Sequence, residues 1–218
     1  MTSYYNKTER VTVERHAERG EYDREAIDAI LDEGLIGHLG IVGDGQPFVL
    51  PVLYARDGER IYVHGSPLSR LLRTVADSLP VCLTVTLVDG LVLARSAFKH
   101  SLNYRSVVVL GEGREITDRE RKLHALRMIV DHVARGRSDD VRGPSAGELK
   151  ATEVVEIAIR EASAKVRTGP PLDSARDRSI PAWAGEVPLR LVSGEPIADD
   201  GCSTAIPEYV RSYERPHV

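Results

Sequence analysis

Hydrophobic residues along the chain switch repeatedly between helical and strand spacing. "DREAIDAILDEG" (residues 23–34) sets Ile27, Ile30 and Leu31 on one face, with Asp23 as N-cap and Gly34 as C-cap, and predicts an amphipathic helix. "LIGHLGIVGDGQPFVLPVLYARDGERIYVHG" then holds three short apolar runs separated by Gly-Asp-Gly and Arg-Asp-Gly, the turn chemistry of antiparallel hairpins. "SPLSRLLRTVADSLP" (66–80) returns to helical spacing through Leu68, Leu71, Leu72 and Val75, with Pro80 as its stop. Strand spacing resumes in "VCLTVTLVDGLVLARS" and, after a polar interruption, in "VVVLGEGREIT", whose Gly-Glu-Gly weakens the middle. "DRERKLHALRMIVDHVARG" (118–136) is the clearest helix, with Leu123, Leu126, Ile129, Val130 and Val133 in one stripe. "ATEVVEIAIREASAKVR" alternates over Val155 to Ile159 as a last strand.

Beyond Arg167, proline and glycine recur and no period is sustained, which reads as an ordered excursion followed by a tail. No internal repeat is visible. The pattern predicts a mainly β fold with helices: a small antiparallel β-barrel of about six strands with flanking helices on its outside and ends. Residues 1–20 form a loose N-terminal arm, 21–195 one domain, and 196–218 a C-terminal tail.

Composition narrows the function. The 218 residues are 42% hydrophobic, ample for a core, and the formal charge of -4 provides no field for nucleic acid. No run of about 18 apolar residues exists to span a bilayer, so neither nucleic acid nor membrane is expected as a partner. Met1 to Gly20 lacks the apolar region of a secretory signal, which makes cytoplasmic the default location. The two cysteines, Cys82 and Cys202, form neither a disulfide framework nor a metal-ligand spacing. The seven histidines show no zinc spacing, so no metal is expected, and His124 and His132 read as surface or half-buried helix residues. Dinucleotide, P-loop and nucleophile-elbow motifs are absent.

Two polar stretches remain as candidate chemistry. In "VHGSPLSRLLR", His64, Ser66, Ser69 and Arg70 stand where a strand gives way to a helix, and unsatisfied N–H groups there suit a phosphate. The alternative is that Ser66 caps the helix, Ser69 and Arg70 face water and His64 ends a strand. In "KHSLNYRS", His100, Ser101, Asn103, Tyr104, Arg105 and Ser106 interrupt two apolar runs. Arg105 with the neighbouring hydroxyls supplies a second wall for the same anion, unless Asn103 and Tyr104 only form a turn or bulge.

"QPFVLPVLYARDGERIYVHGSPLSRLLRTV", "VCLTVTLVDGLVLARSAFKHSLNYRSVVVLGEG", "ASAKVRTGPP" and "PAWAGEVPL" resemble, in this order, the pyridoxamine 5'-phosphate oxidase-like flavoproteins. The likeness covers about residues 10 to 195 and is nearest to the nitroimidazole reductase-like, flavin-nucleotide-binding branch. It implies an FMN-binding split β-barrel that forms a homodimer, with a cofactor site in each of two clefts shared by both subunits. "SPLSRLL" resembles the segment that binds FMN phosphate, which nominates Ser69 and Arg70 beside Ser66. "YRSVVVLGEG" resembles the strand that places Arg105 and Ser106 near the flavin, with Ser101 and Tyr104 beside them. "VLPVLY" resembles the strand whose main chain borders the isoalloxazine, so Leu50, Pro51, Val52 and Leu53 are expected there. His64 resembles a flavin-side histidine and is the candidate catalytic proton donor. Trp183 either caps the flavin cleft or anchors the tail.

"VPLRLVSGEP" contains Arg190 but lacks the C-terminal substrate-phosphate motif of the true oxidases, which argues against vitamin B6 oxidation. The resemblance therefore implies an FMN-dependent oxidoreductase that reduces a small electron-poor substrate with electrons from a nicotinamide. Its rivals are a non-enzymatic flavin binder and the same barrel holding deazaflavin F420 or haem, with His64 or His100 as axial ligand.

Overall fold

The computed structural model describes residues 3–69, Leu72, Val75 and 77–216. After a short strand β1 (Gly20–Glu21), helix α1 (Arg24–Glu33) starts where the Asp23 carboxylate accepts from the Ala26 N–H, as its capping position predicts. Strands β2 (Ile36–Gly43), β3 (Gln46–Asp57) and β4 (Arg60–Gly65) follow as an antiparallel meander. The first turn requires Asp44 and Gly45, both at positive φ (51° and 75°).

The helix expected over 66–80 falls largely outside the described residues, as does Arg70. Leu72 and Val75 are buried. Strand β5 (Asp77–Leu93) already begins before Pro80, so that proline lies inside a strand rather than stopping a helix. Strand β6 (Ser101–Glu115) carries the whole polar stretch from Ser101 to Ser106 without a break, so the expected interruption is continuous strand. It pairs with β5 along its length, and the irregularity opposite the polar stretch lies on β5, where Asp89 bulges between Val88 and Gly90.

Helix α2 (Arg119–Val133) is capped by Asp118. After α3 (Arg137–Asp140) and α4 (Ala146–Lys150), the expected last strand divides into β7 (Glu153–Ala158) and β8 (Glu161–Arg167), which run along one edge of β6. Gly111 stands at the changeover. A Cβ there would lie 2.2 Å from the Ala158 carbonyl oxygen, so this glycine is the close approach that lets β6 change partners. Strand β9 (Gly185–Pro188) and helix α5 (Glu208–Arg211) complete the chain.

Nine strands form the sheet in the order β1-β8-β6-β7-β4-β3-β2-β5-β9, and the β5–β6 pairing closes six of them into a ring. The fold is a split antiparallel barrel. Leu39, Leu83, Val107, Val109 and Ile157 fill its interior, and α1 closes one mouth with Ile27, Ile30 and Leu31. Helix α2 covers the outer face of β3, β4 and β7, with Ala125 and Ile129 against Ala55, Tyr62 and Val154. Its expected stripe is rotated: Val130 and Val133 stay exposed, and His132 takes the inner position beside Tyr54.

Both termini are tied to the barrel. The arm expected to be loose buries Tyr5 and Val11, and the Tyr5 hydroxyl donates to Asp28 at 2.7 Å. At the other end, the Arg215 guanidinium donates to the carbonyls of Asp32, Glu33 and His132, joining the C-termini of α1 and α2. Cations are favoured at both places by the helix dipoles. No described helix is long and apolar enough to cross a membrane.

Candidate functional site on the outer barrel face

Side chains alternate across a strand, so register decides which candidates share a surface. On the outer face of β2, His38 stands opposite Pro51 of β3 and Thr84 of β5. Thr86 of β5 then pairs with Ser106 of β6, and Val88 with Tyr104. Val42 and Val49 extend the same face and are mostly exposed. The result is a broad outer sheet surface, apolar at its centre, with hydroxyls along β5 and β6 and an imidazole in the middle.

Leu50, Pro51, Val52 and Leu53 belong to this region through their main chain. Strand β3 pairs with β4 only from Tyr54 onward, so residues 50–53 form a ladder with β2 alone among the described residues. Their second edge has main-chain donors and acceptors available to a planar heterocycle. His64 follows Val63, the partner of Tyr54, and leaves β4 where this edge opens. Its ring reaches solvent, yet the surrounding protein desolvates it enough to hold its pKa below the ordinary imidazole range.

Ser66 and Ser69 follow His64 and act first as caps. The Ser66 hydroxyl oxygen accepts from the Leu68 N–H at 3.2 Å, and the Ser69 oxygen accepts from the Leu72 N–H at 3.5 Å. Each hydroxyl proton remains available to an anion.

The polar stretch of β6 separates into two faces. Tyr104 and Ser106 look outward, and the Ser106 hydroxyl donates to the Lys165 carbonyl at 3.3 Å. Ser101, Asn103 and Arg105 alternate with them. Arg105 is already held within the chain. Its guanidinium bonds Glu33 at 2.5 and 2.9 Å and Asp89 at 3.0 and 2.8 Å. The bonds to Asp89 and Glu33 raise its pKa further, so it is a structural cation held by two carboxylates and does not stand open for a phosphate. It also lies far from the other candidate wall. His64 pairs with Val154, whose carbonyl accepts from Ile116, and eleven residues, roughly 36 Å of extended chain, separate Ile116 from Arg105. A single chain does not bring Arg105 and the His64–Ser69 segment around one anion.

Trp183 is 66% exposed and lies over Gly185 at the start of β9, so burial does not anchor it. His100 stands exposed at the β5–β6 hairpin, where its Nδ1 contacts the Ser96 carbonyl at 3.1 Å. Sequence spacing missed His38. Its signal was the alternation of "IGHLGIV", which sets it on the face opposite Leu39 and Ile41. Among the described residues no group of three or more His, Cys, Asp or Glu is placed to hold a metal ion.

Residues 23–166 match the family model described as pyridoxamine 5'-phosphate oxidase. The chain is 40% identical to the flavocytochrome Anf3 of Azotobacter vinelandii, over 93% of this chain and 95% of that one, with a TM-score of 0.87. It is 34% identical to the FAD and haem binding protein of Mycobacterium smegmatis, over 88% and 96%, with a TM-score of 0.84. A protein of Bacteroides thetaiotaomicron assigned to 5-nitroimidazole antibiotic resistance shares the fold at 24% identity, over 67% and 86%, with a TM-score of 0.58. No curated protein matches.

Proposed function

Because the chain belongs to the pyridoxamine 5'-phosphate oxidase family, we propose that it is a flavin-dependent redox protein with its cofactor held on the outer barrel face. The observation that carries this reading is the open β3 edge at 50–53, next to His38 and within reach of the strand end at His64. Main-chain groups there match the hydrogen-bonding edge of a flavin ring, and the apolar face suits its flat body. Bound flavin supplies reversible one- and two-electron chemistry. The chain's part is to hold the ring on residues 50–53, bind the phosphate end with the hydroxyls of Ser66 and Ser69, and keep water from the reacting edge. His64, with its pKa lowered, is neutral at pH 7 and accepts or relays a proton at its free ring nitrogen.

FMN is the cofactor expected from the sequence resemblance, whereas the names of two close relatives specify FAD or a flavocytochrome. We favour FAD with haem over FMN alone on that ground. The chemistry of the face supports it: His38 and His64 have no hydrogen-bond partner among the described residues, and imidazole on an apolar surface is a donor that haem iron takes. His100, at the hairpin, lies away from this surface. The proposal includes a homodimer that completes the site, with Tyr104 and Ser106 of one chain facing the His64–Ser69 segment of the other. Electrons from a nicotinamide and a small electron-poor acceptor remain the proposed reaction.

The absorption spectrum of the purified chain tests the proposal. Flavin bands with FAD or FMN released on denaturation support it, and an added Soret band supports the haem reading. A colourless protein that takes up neither cofactor rejects both. Bleaching by a nicotinamide, followed by reoxidation with a nitroimidazole, distinguishes an enzyme from a carrier.

A further inference from the structure

The segment after β9 holds apolar side chains away from its own barrel. Leu191, Val192 and Ile197 are 70%, 78% and 96% exposed. Residues 189–199 adopt neither helix nor strand. Its first half is nevertheless held by its own chain. The Leu189 N–H donates to the Asp89 carbonyl at 3.0 Å, the Ser193 hydroxyl donates to the Tyr213 carbonyl at 2.8 Å, and Arg215 clasps the ends of α1 and α2.

This strap is continuous with the outer barrel face. Val88 and Thr86 of that face line the same cleft, of about 630 Å³, as Leu189 and Leu191. Taking ~60–120 Å² for a whole aliphatic side chain, Leu191, Val192, Ile197, Val42, Val49 and Val88 together expose roughly 250–500 Å². That area is at the limit of what a monomer leaves open, and with a polar rim it approaches the ~800 Å² per partner of a standard interface.

We propose that the strap is an exchanged arm: residues 189–199 of each copy lie against the outer face of β2, β3 and β5 in a second copy. The inference rests on the homodimer reading above and adds which segment crosses over. In an isologous pair each arm closes over the face that holds the other chain's flavin, so the apolar surface of arm and face is covered in one contact. The cleft beside Arg105 is then completed by the partner.

The test compares three full-length, cofactor-loaded proteins by light scattering over a dilution series: wild type, Val42→Asp on the face, and Leu191→Asp/Val192→Asp/Ile197→Asp on the strap. Wild type is expected at twice 24.0 kDa, and both variants are expected to dissociate at tenfold or more higher concentration. A wild type at 24.0 kDa at every concentration rejects the dimer reading and the arm with it. A dimer that Val42→Asp weakens and the strap variant leaves unchanged keeps the dimer and overturns the arm. Should a variant misfold, hydrogen exchange on wild type decides. Amides of 189–199 protected only above the dimer midpoint support exchange, and equal rates above and below it overturn the proposal.

Discussion

Arg105 and Glu33 meet in a two-pronged ion pair that joins strand β6 to the last residue of helix α1, with the bulged Asp89 closing the other side of the guanidinium. Removing the cation strands two carboxylates, one of them buried. Arg105→Ala is expected to cost about 2–4 kcal/mol, below the ~3–5 of a fully buried pair because Arg105 and Asp89 keep 16% and 31% of their side-chain surface. Urea unfolding measures it. Flavin content per folded molecule should stay near wild type, and selective loss of flavin without loss of stability would return Arg105 to the cofactor site.

His132 introduces a pH dependence. Its Nε2 contacts the Gly34 carbonyl at 2.7 Å, and burial lowers its pKa from the ordinary 6.5. The folded state then resists the proton that the unfolded chain accepts. Stability contributed by this site is full above pH 6.5 and is lost as pH falls from there toward the lowered folded value. His132→Gln retains an N–H donor without titrating, so its unfolding free energy should decline less than wild type between pH 7 and 5. Parallel curves for the two proteins would show that His132 does not set this slope.

Gly111 is where β6 changes partner from β8 to β7, and a Cβ there meets the Ala158 carbonyl oxygen at 2.2 Å. Gly111→Ala forces the strands apart and is expected to destabilise by about 3 kcal/mol or more. Gly143→Ala, with open space around its Cβ, is the control and should stay within about 0.5 kcal/mol.

His64 and His38 are separable by spectroscopy. If His64 handles a proton, His64→Ala retains flavin but slows nicotinamide-dependent turnover by about 10²- to 10⁴-fold, with the pH profile flattened. If His38 or His64 ligates haem, the corresponding alanine variant loses or shifts the Soret band while the flavin bands persist. Unchanged turnover per flavin in His64→Ala would exclude the proton role.

The local elements were legible in the sequence because their causes are local. Helix caps at Asp23 and Asp118, the Asp44–Gly45 turn and the β2–β4 meander follow from residue chemistry within a few positions. The barrel and its flavin-binding family were also legible, through motifs in the right order. What the sequence could not specify was the partner of each polar group. Arg105 reads as an anion binder until Glu33, 72 positions away, and the Asp89 bulge are brought against it. Likewise, the stripe on α2 reads as Leu123, Leu126, Ile129, Val130 and Val133, and packing on the outer barrel face keeps Ile129, adds Ala125 and leaves Val130 and Val133 exposed. His38 shows only a strand alternation in the chain, and the pairing of β2 with β3 and β5 places it at the centre of an exposed face. Periodicity specifies which residues share a side of one element, and closure of the ring decides what that side meets.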